Sequence, residues 1–171
     1  MKRYRIIDGY NFLHAAGMMP RKIDGETLER ARSQLVRYLS VRLTDQERAL
    51  TTLVFDVNQN LGNLTARKVE AGMTILLAIN YPDADSLIEE LLKSHSAPKQ
   101  VTVISSDHRL HRAARARRAT PVDSEVFYRL MEEREILPTS QETDANSIEM
   151  ETVSDLEVEM WQQRIQQLFD E

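Results

Sequence analysis

The stretch Tyr4-Arg5-Ile6-Ile7-Asp8-Gly9-Tyr10-Asn11 sets the frame for the rest of the chain. A short apolar run stops at an acid, and a glycine follows at once. Three further runs resemble it. Thr52–Phe55 stops at Asp56, Thr74–Ile79 is followed by Asp83 and Asp85, and Val101–Ile104 leads to Asp107. Runs of this length without polar alternation fit strands covered on both faces, as in a parallel sheet. A weaker fifth strand is expected at Ala119–Val122.

Between the runs the period changes. Leu28, Ala31, Leu35, Leu39 and Leu43 recur every three or four residues, the mark of a helix buried on one side. Leu87, Leu91 and Leu92 mark a second helix, entered through Pro82-Asp83, with Asp83 or Asp85 able to cap it. His108–Ala116 and Glu125–Glu133 read as two more. Alternating strands and helices predict an α/β fold with a mostly parallel, doubly wound sheet. Residues 57–72 carry little apolar content and are expected to form a surface loop, with a short helix near Ala66–Glu70.

With 171 residues the chain suffices for one domain with a proper core. It has no cysteine, which excludes disulfides and thiolate metal sites. Only Ile6 and Ile7 precede Asp8 as an apolar pair, too little for a signal-peptide core, and no stretch nears the roughly 20 apolar residues of a membrane span. A soluble, cytoplasmic protein is expected. The net charge of −5 is unevenly placed. Residues 138–171 hold nine Asp or Glu against one Arg, a charge of −8, and residues 1–137 hold 21 Lys or Arg against 18 acids, a charge of +3.

This asymmetry suggests a division into a body, 1–137, and a C-terminal region, 138–171. Residues 138–153 read as an acidic linker. Beyond it, Leu156, Met160, Trp161, Ile165, Leu168 and Phe169 share one face of an amphipathic helix that Ser154 could cap. A helix of about 16 residues is marginal alone in water, so that face needs a surface. The body itself, a second copy of the chain or another protein would each serve.

In open α/β sheets, ligands sit beyond the carboxyl ends of the strands. Asp8, Asp56, Asp85 and Asp107 would converge there from distant parts of the chain. At about 5 Å and an effective dielectric near 20, each pair of charges costs roughly 3 kcal/mol. Such a cluster calls for a cation or for protons. Oxygen donors without Cys or paired His favour Mg2+ or Mn2+ over zinc, and such an ion could orient a phosphodiester and activate water. Each Asp taken singly could instead be a helix cap, Asp56 most of all.

After Asp107 comes a basic run in which Arg112 and Arg115, and Arg115 and Arg118, are spaced to share a helix face. Together with Arg109 they form a candidate RNA-binding surface for phosphates, unless they are an ordinary solvated face. A phosphatase or phosphotransfer receiver is disfavoured, since the first strand lacks an Asp-x-Asp pair and no Lys follows the fourth. No glycine-rich loop suggests an NTPase.

The run Ile6-Ile7-Asp8-Gly9-Tyr10-Asn11-Phe12-Leu13 resembles the opening motif of the NYN domain family, in particular its YacP-like branch of PIN-like nucleases. Leu53-Val54-Phe55-Asp56, Ala84-Asp85-Ser86-Leu87-Ile88-Glu89, Val103-Ile104-Ser105-Ser106-Asp107 and Val122-Asp123-Ser124-Glu125-Val126-Phe127 follow in the family's order, so the similarity spans about residues 4–133. The resemblance implies a three-layer PIN-like sheet with a central first strand. It also implies an Mg2+- or Mn2+-dependent endoribonuclease in which Asp8, Asp85 and Asp107 face the metal, Asn11 supports them and Asp56 lies nearby. A PIN-like RNA-binding module without turnover is the alternative.

Overall fold

The computed structural model describes residues 3–57, 65–138 and 155–170. Its strands are β1 (Tyr4–Asp8), β2 (Thr51–Phe55), β3 (Arg67–Glu70), β4 (Met73–Leu77), β5 (Val101–Ile104) and β6 (Thr120–Val122). They form one sheet in the order β3-β4-β2-β1-β5-β6. All neighbours run parallel except β3 and β4. The strands β2, β4 and β5, apolar apart from their threonines, are buried at every position, which explains why they show no alternation of charged and apolar residues.

Helices cover both faces. On one side pack α1 (Gly9–Ala15), α2 (Gly25–Ser40) and α6 (Ser124–Glu132), whose Phe12, Leu35 and Phe127 meet Ile7, Leu53 and Ile75 of the sheet. On the other pack α4 (Ala84–Ser94), α5 (His108–Ala116) and α7 (Asp155–Asp170), with Leu87, Leu91, Leu110 and Ile165 against Ile6, Val54 and Val103. A short helix α3 (Asp45–Ala49) precedes β2. The expected three-layer α/β architecture and central first strand are present. No described helix is long and apolar enough to cross a membrane.

Two local expectations need correcting. The segment near Ala66–Glu70 is not a helix but the edge strand β3, paired antiparallel with β4. Glu70 faces Met73 across a two-residue turn, Ala71 and Gly72, both with positive φ (50° and 80°). That left-handed pair matches the twist of a hairpin. An edge strand needs only backbone partners, and Arg67, Lys68 and Glu70 bury too little to leave an apolar signature. The segment after Asp8, read only as a motif, is the seven-residue α1.

Part of the apolar face of α7, Trp161, Ile165 and Leu168, packs on the body of the chain itself, while Met160 is 59% exposed. Trp161 is 6% exposed, with its ring 4.4 Å from His95 and 5.4 Å from Tyr4, and Ile165 is fully buried. The Nε of Arg164 donates to the carbonyl of Ser94 at 3.1 Å. The proposed linker, apart from its first residue Pro138, and the Ser154 cap lie outside the described residues.

Candidate functional site

The chain runs from β1 outward through β2 to β4, then returns across β1 to add β5 on its other side. The order therefore reverses between β1 and β5, where α/β sheets open a crevice at their carboxyl edge. Asp8 ends β1 and Asp107 follows β5, so both stand at this crevice. Gly9 is required beside them for space: a Cβ there would sit 2.1 Å from Cε1 of Phe55.

Asp8 is 9% exposed. It accepts a hydrogen bond from the Ser105 hydroxyl at 3.0 Å and a long one from the Asn11 amide at 3.4 Å, as cap of α1. Burial, and then the charges of Asp56 and Asp107, push its carboxyl up to about 6. Asp107 caps α5, accepting from the Arg109 amide at 2.6 Å. Asp56 is exposed and accepts from the Ala84 amide at 2.7 Å, which ties the end of β2 to the start of α4. The capping roles expected of single acids are therefore real, and they are filled by the same residues that meet at the crevice.

Asp85 differs. Asp83, not Asp85, caps α4, accepting from the Ser86 amide at 2.7 Å. Among the described residues the Asp85 carboxylate accepts no hydrogen bond, and the Nη1 of Arg109 lies 3.9 Å away. Burial and then the charges of Asp8, Asp107 and Asp83 push it up to about 6. Asp8, Asp85 and Asp107 thus share one electrostatic environment, and their oxygen-only donor set suits a hard divalent cation. As they stand, no group of three or more His, Asp or Glu among the described residues is arranged to hold a metal ion.

Asn11 braces the crevice. Its Oδ1 accepts from the Ser106 amide at 2.8 Å and from the Ser124 hydroxyl at 2.6 Å, joining α1 to the β5–α5 loop and to α6. Tyr10 packs edge-on against Phe55, its hydroxyl accepting from Arg32 at 2.9 Å. The Nε2 of His111 lies 2.5 Å from the Ser105 carbonyl, while His108 and His14 are exposed.

The four arginines proposed for RNA divide. Arg109 is held by acids: its Nε donates to Glu89 at 2.8 Å and its Nη1 to Asp83 at 3.1 Å. Its guanidinium is committed to α4 and holds the starts of α4 and α5 together. Arg112, Arg115 and Arg118 are exposed and, among the described residues, bonded to no side chain. Three contributors escaped the sequence reading. Ser105 links Asp8 to the Asp107 amide, which donates to its hydroxyl at 3.1 Å. Ser124 anchors Asn11, and Glu89 anchors Arg109. Glu89 lies four residues after Asp85, on the same helix face, a spacing that could have flagged it.

The fold is that of a PIN-like domain. The chain belongs to the YacP-like NYN domain family, a ribonuclease family whose profile matches residues 5–169 and so takes in α7 as well as the motifs found in residues 4–133. Among solved structures it is similar to Rae1 (YacP) from Bacillus subtilis, with 19% identity, a TM-score of 0.56, and coverage of 98% of this chain and 79% of that one. A tryptophan-to-leucine variant of Rae1 matches at 20% identity and a TM-score of 0.53, covering 76% and 75%. No curated protein matches this chain.

Proposed function

We propose that this protein is a divalent-metal-dependent endoribonuclease that hydrolyses RNA phosphodiesters at the crevice formed by Asp8, Asp85 and Asp107. The observation that carries this reading is Asp85. It is a half-buried carboxylate that accepts no hydrogen bond among the described residues, with the charges of Asp8, Asp107 and Asp83 against it and only the Nη1 of Arg109, 3.9 Å away, beside it. Asp8, Asp85 and Asp107 would hold Mg2+ or Mn2+, which when bound orients the phosphodiester and activates water. Asp56, exposed and engaged with α4, would act on that ion through its charge.

The protein's own groups do the rest. Asn11, Ser105 and Ser124 keep the acids and the β5–α5 loop in place. Arg112 and Arg115 lie further along α5, where they can neutralise flanking phosphates without reading bases.

RNA binding without turnover is favoured by one observation: the acids are not yet arranged to hold an ion. One experiment separates the two. Purified full-length protein is incubated with mixed RNA and DNA strands in Mn2+, Mg2+ or chelator. The endoribonuclease shortens RNA with the ion only, and Asp85→Asn abolishes the cut while leaving the far-UV spectrum unchanged. RNA retained intact with the ion assigns the binding module, and equal cleavage by Asp85→Asn removes this acid from the chemistry.

A further inference from the structure

At the far end of α5 from the carboxylates, a cleft of about 450 Å3 opens between the chain end of that helix and the short turn Pro98–Gln100. Lys99, Gln100, Arg117 and Arg118 line it. Three observations bear on these cations.

The first is pairing. Arg5, Arg30, Arg42, Arg48, Arg109 and Arg134 each face a carboxylate. Lys99 and Arg118 face none among the described residues, and neither do Arg112 and Arg115; Arg37 and Arg129 also form no ion pair, but they stand apart on α2 and α6, whereas these four follow one another along α5 and into the cleft.

The second is backbone. Arg118 closes α5 with φ of 60°, while the Ala119 amide bonds back to the Ala114 carbonyl at 2.9 Å. Helices commonly end this way on glycine. A side chain held in the left-handed region costs energy and concentrates where function needs it.

The third is anchoring. The guanidinium of Arg117 donates to the carbonyls of Leu92 at 3.4 Å and Lys93 at 3.2 Å. It stands as a fixed charge at the carbonyl end of α4, so one wall of the cleft is set before any ligand arrives.

We propose that this cleft is a second phosphate-binding site, which holds the backbone of the RNA strand a few nucleotides from the bond that is cut. The proposal rests on the ribonuclease reading and adds a subsite to it. From His108 to Arg118 the helix advances about 15 Å, a span of several nucleotides. The unpaired Arg112 and Arg115 lie between the two ends. The strand would run from the acidic crevice along α5 to the cleft, where Lys99 and Arg118 meet its phosphates beside the fixed Arg117. Contacts of this kind position a strand and carry no base preference.

The test uses the full chain and a fluorescently labelled twelve-nucleotide oligouridylate in chelator, so that no cutting occurs. Affinity is read by anisotropy across a salt series. The double variant Lys99→Gln/Arg118→Gln is compared with Arg37→Gln/Arg129→Gln, which removes the same charge from two exposed positions on α2 and α6. Loss of two single-strand phosphate contacts should lower the slope of log K against log salt by about 1.4 and weaken binding roughly tenfold at 0.2 M salt. The control double should change affinity less than twofold. Equal losses in both doubles mean that net charge alone matters, and overturn the cleft. If the parent binds the oligonucleotide and cuts RNA with Mn2+ while Lys99→Gln/Arg118→Gln binds as the parent does, the cleft falls and the ribonuclease reading stands. A parent that neither binds nor cuts RNA overturns both.

Discussion

Asp8→Asn should make the metal-free protein more stable at alkaline pH. The Asp8 carboxyl is held at about 6 in the folded chain against 3.8 for the free group, because burial and the nearby acids oppose its charge. The folded value is the raised one, so this contribution to stability is whole below pH 3.8 and is lost as the pH climbs through 6. A shift of that size is worth about 3 kcal/mol once both states are ionised. Asparagine carries no charge to oppose, yet it weakens the bonds from Ser105 and Asn11, a loss on the order of 1 kcal/mol. A net gain of roughly 2 kcal/mol corresponds to about 4–8 °C in Tm for a domain of this size.

Thermal melts with chelator at pH 8.0 and pH 4.5 provide the assay. The variant should melt higher than the parent at pH 8.0, and the advantage should vanish at pH 4.5, where the parent's Asp8 is largely protonated. Added Mn2+ should raise the parent's Tm, by mass action on the folded state, and leave the variant nearly unmoved. A variant that melts lower than the parent by the same margin at both pH values would refute the reasoning. It would mean that Asp8 serves as a cap and nothing more.

Three other outcomes follow from the geometry. Arg112→Gln/Arg115→Gln should weaken RNA binding across sequences and reduce the salt slope by about 1.4; an unchanged slope in the same anisotropy series would make them an ordinary solvated face. Trp161→Ala should cost about 3–5 kcal/mol in urea melts, since the ring is packed between Tyr4 and His95; a loss below 1 kcal/mol would show that α7 is dispensable to the core. Gly9→Ala should destabilise by about 1–3 kcal/mol through its clash with Phe55, and Phe55→Leu in the same chain should recover part of that loss. An undiminished melting temperature in Gly9→Ala would show that the ring moves aside without cost.

Much of the fold is legible in the chain alone because its signals are local. Buried parallel strands carry no charged positions and are mostly apolar or β-branched, so β2, β4 and β5 announce themselves, and the three-to-four spacing of Leu28, Ala31, Leu35 and Leu39 marks α2. The edge strand β3 leaves no such trace, since backbone pairing with β4 holds it whatever its side chains are. The acids, too, can be picked out because each follows an apolar run, and the order of the motifs points to the family. Only the tertiary structure separates their roles. Asp85 is left without a donor while Asp56 is spent on the Ala84 amide, because α4 starts on Asp83. Likewise Arg109 and Arg112 look alike in the chain, yet one is clasped by Glu89 and Asp83 and the other is open to solvent. Charge type is written in the sequence, but the partners of Arg109 lie 20 and 26 residues away, and those meetings exist only once the sheet has closed around β1.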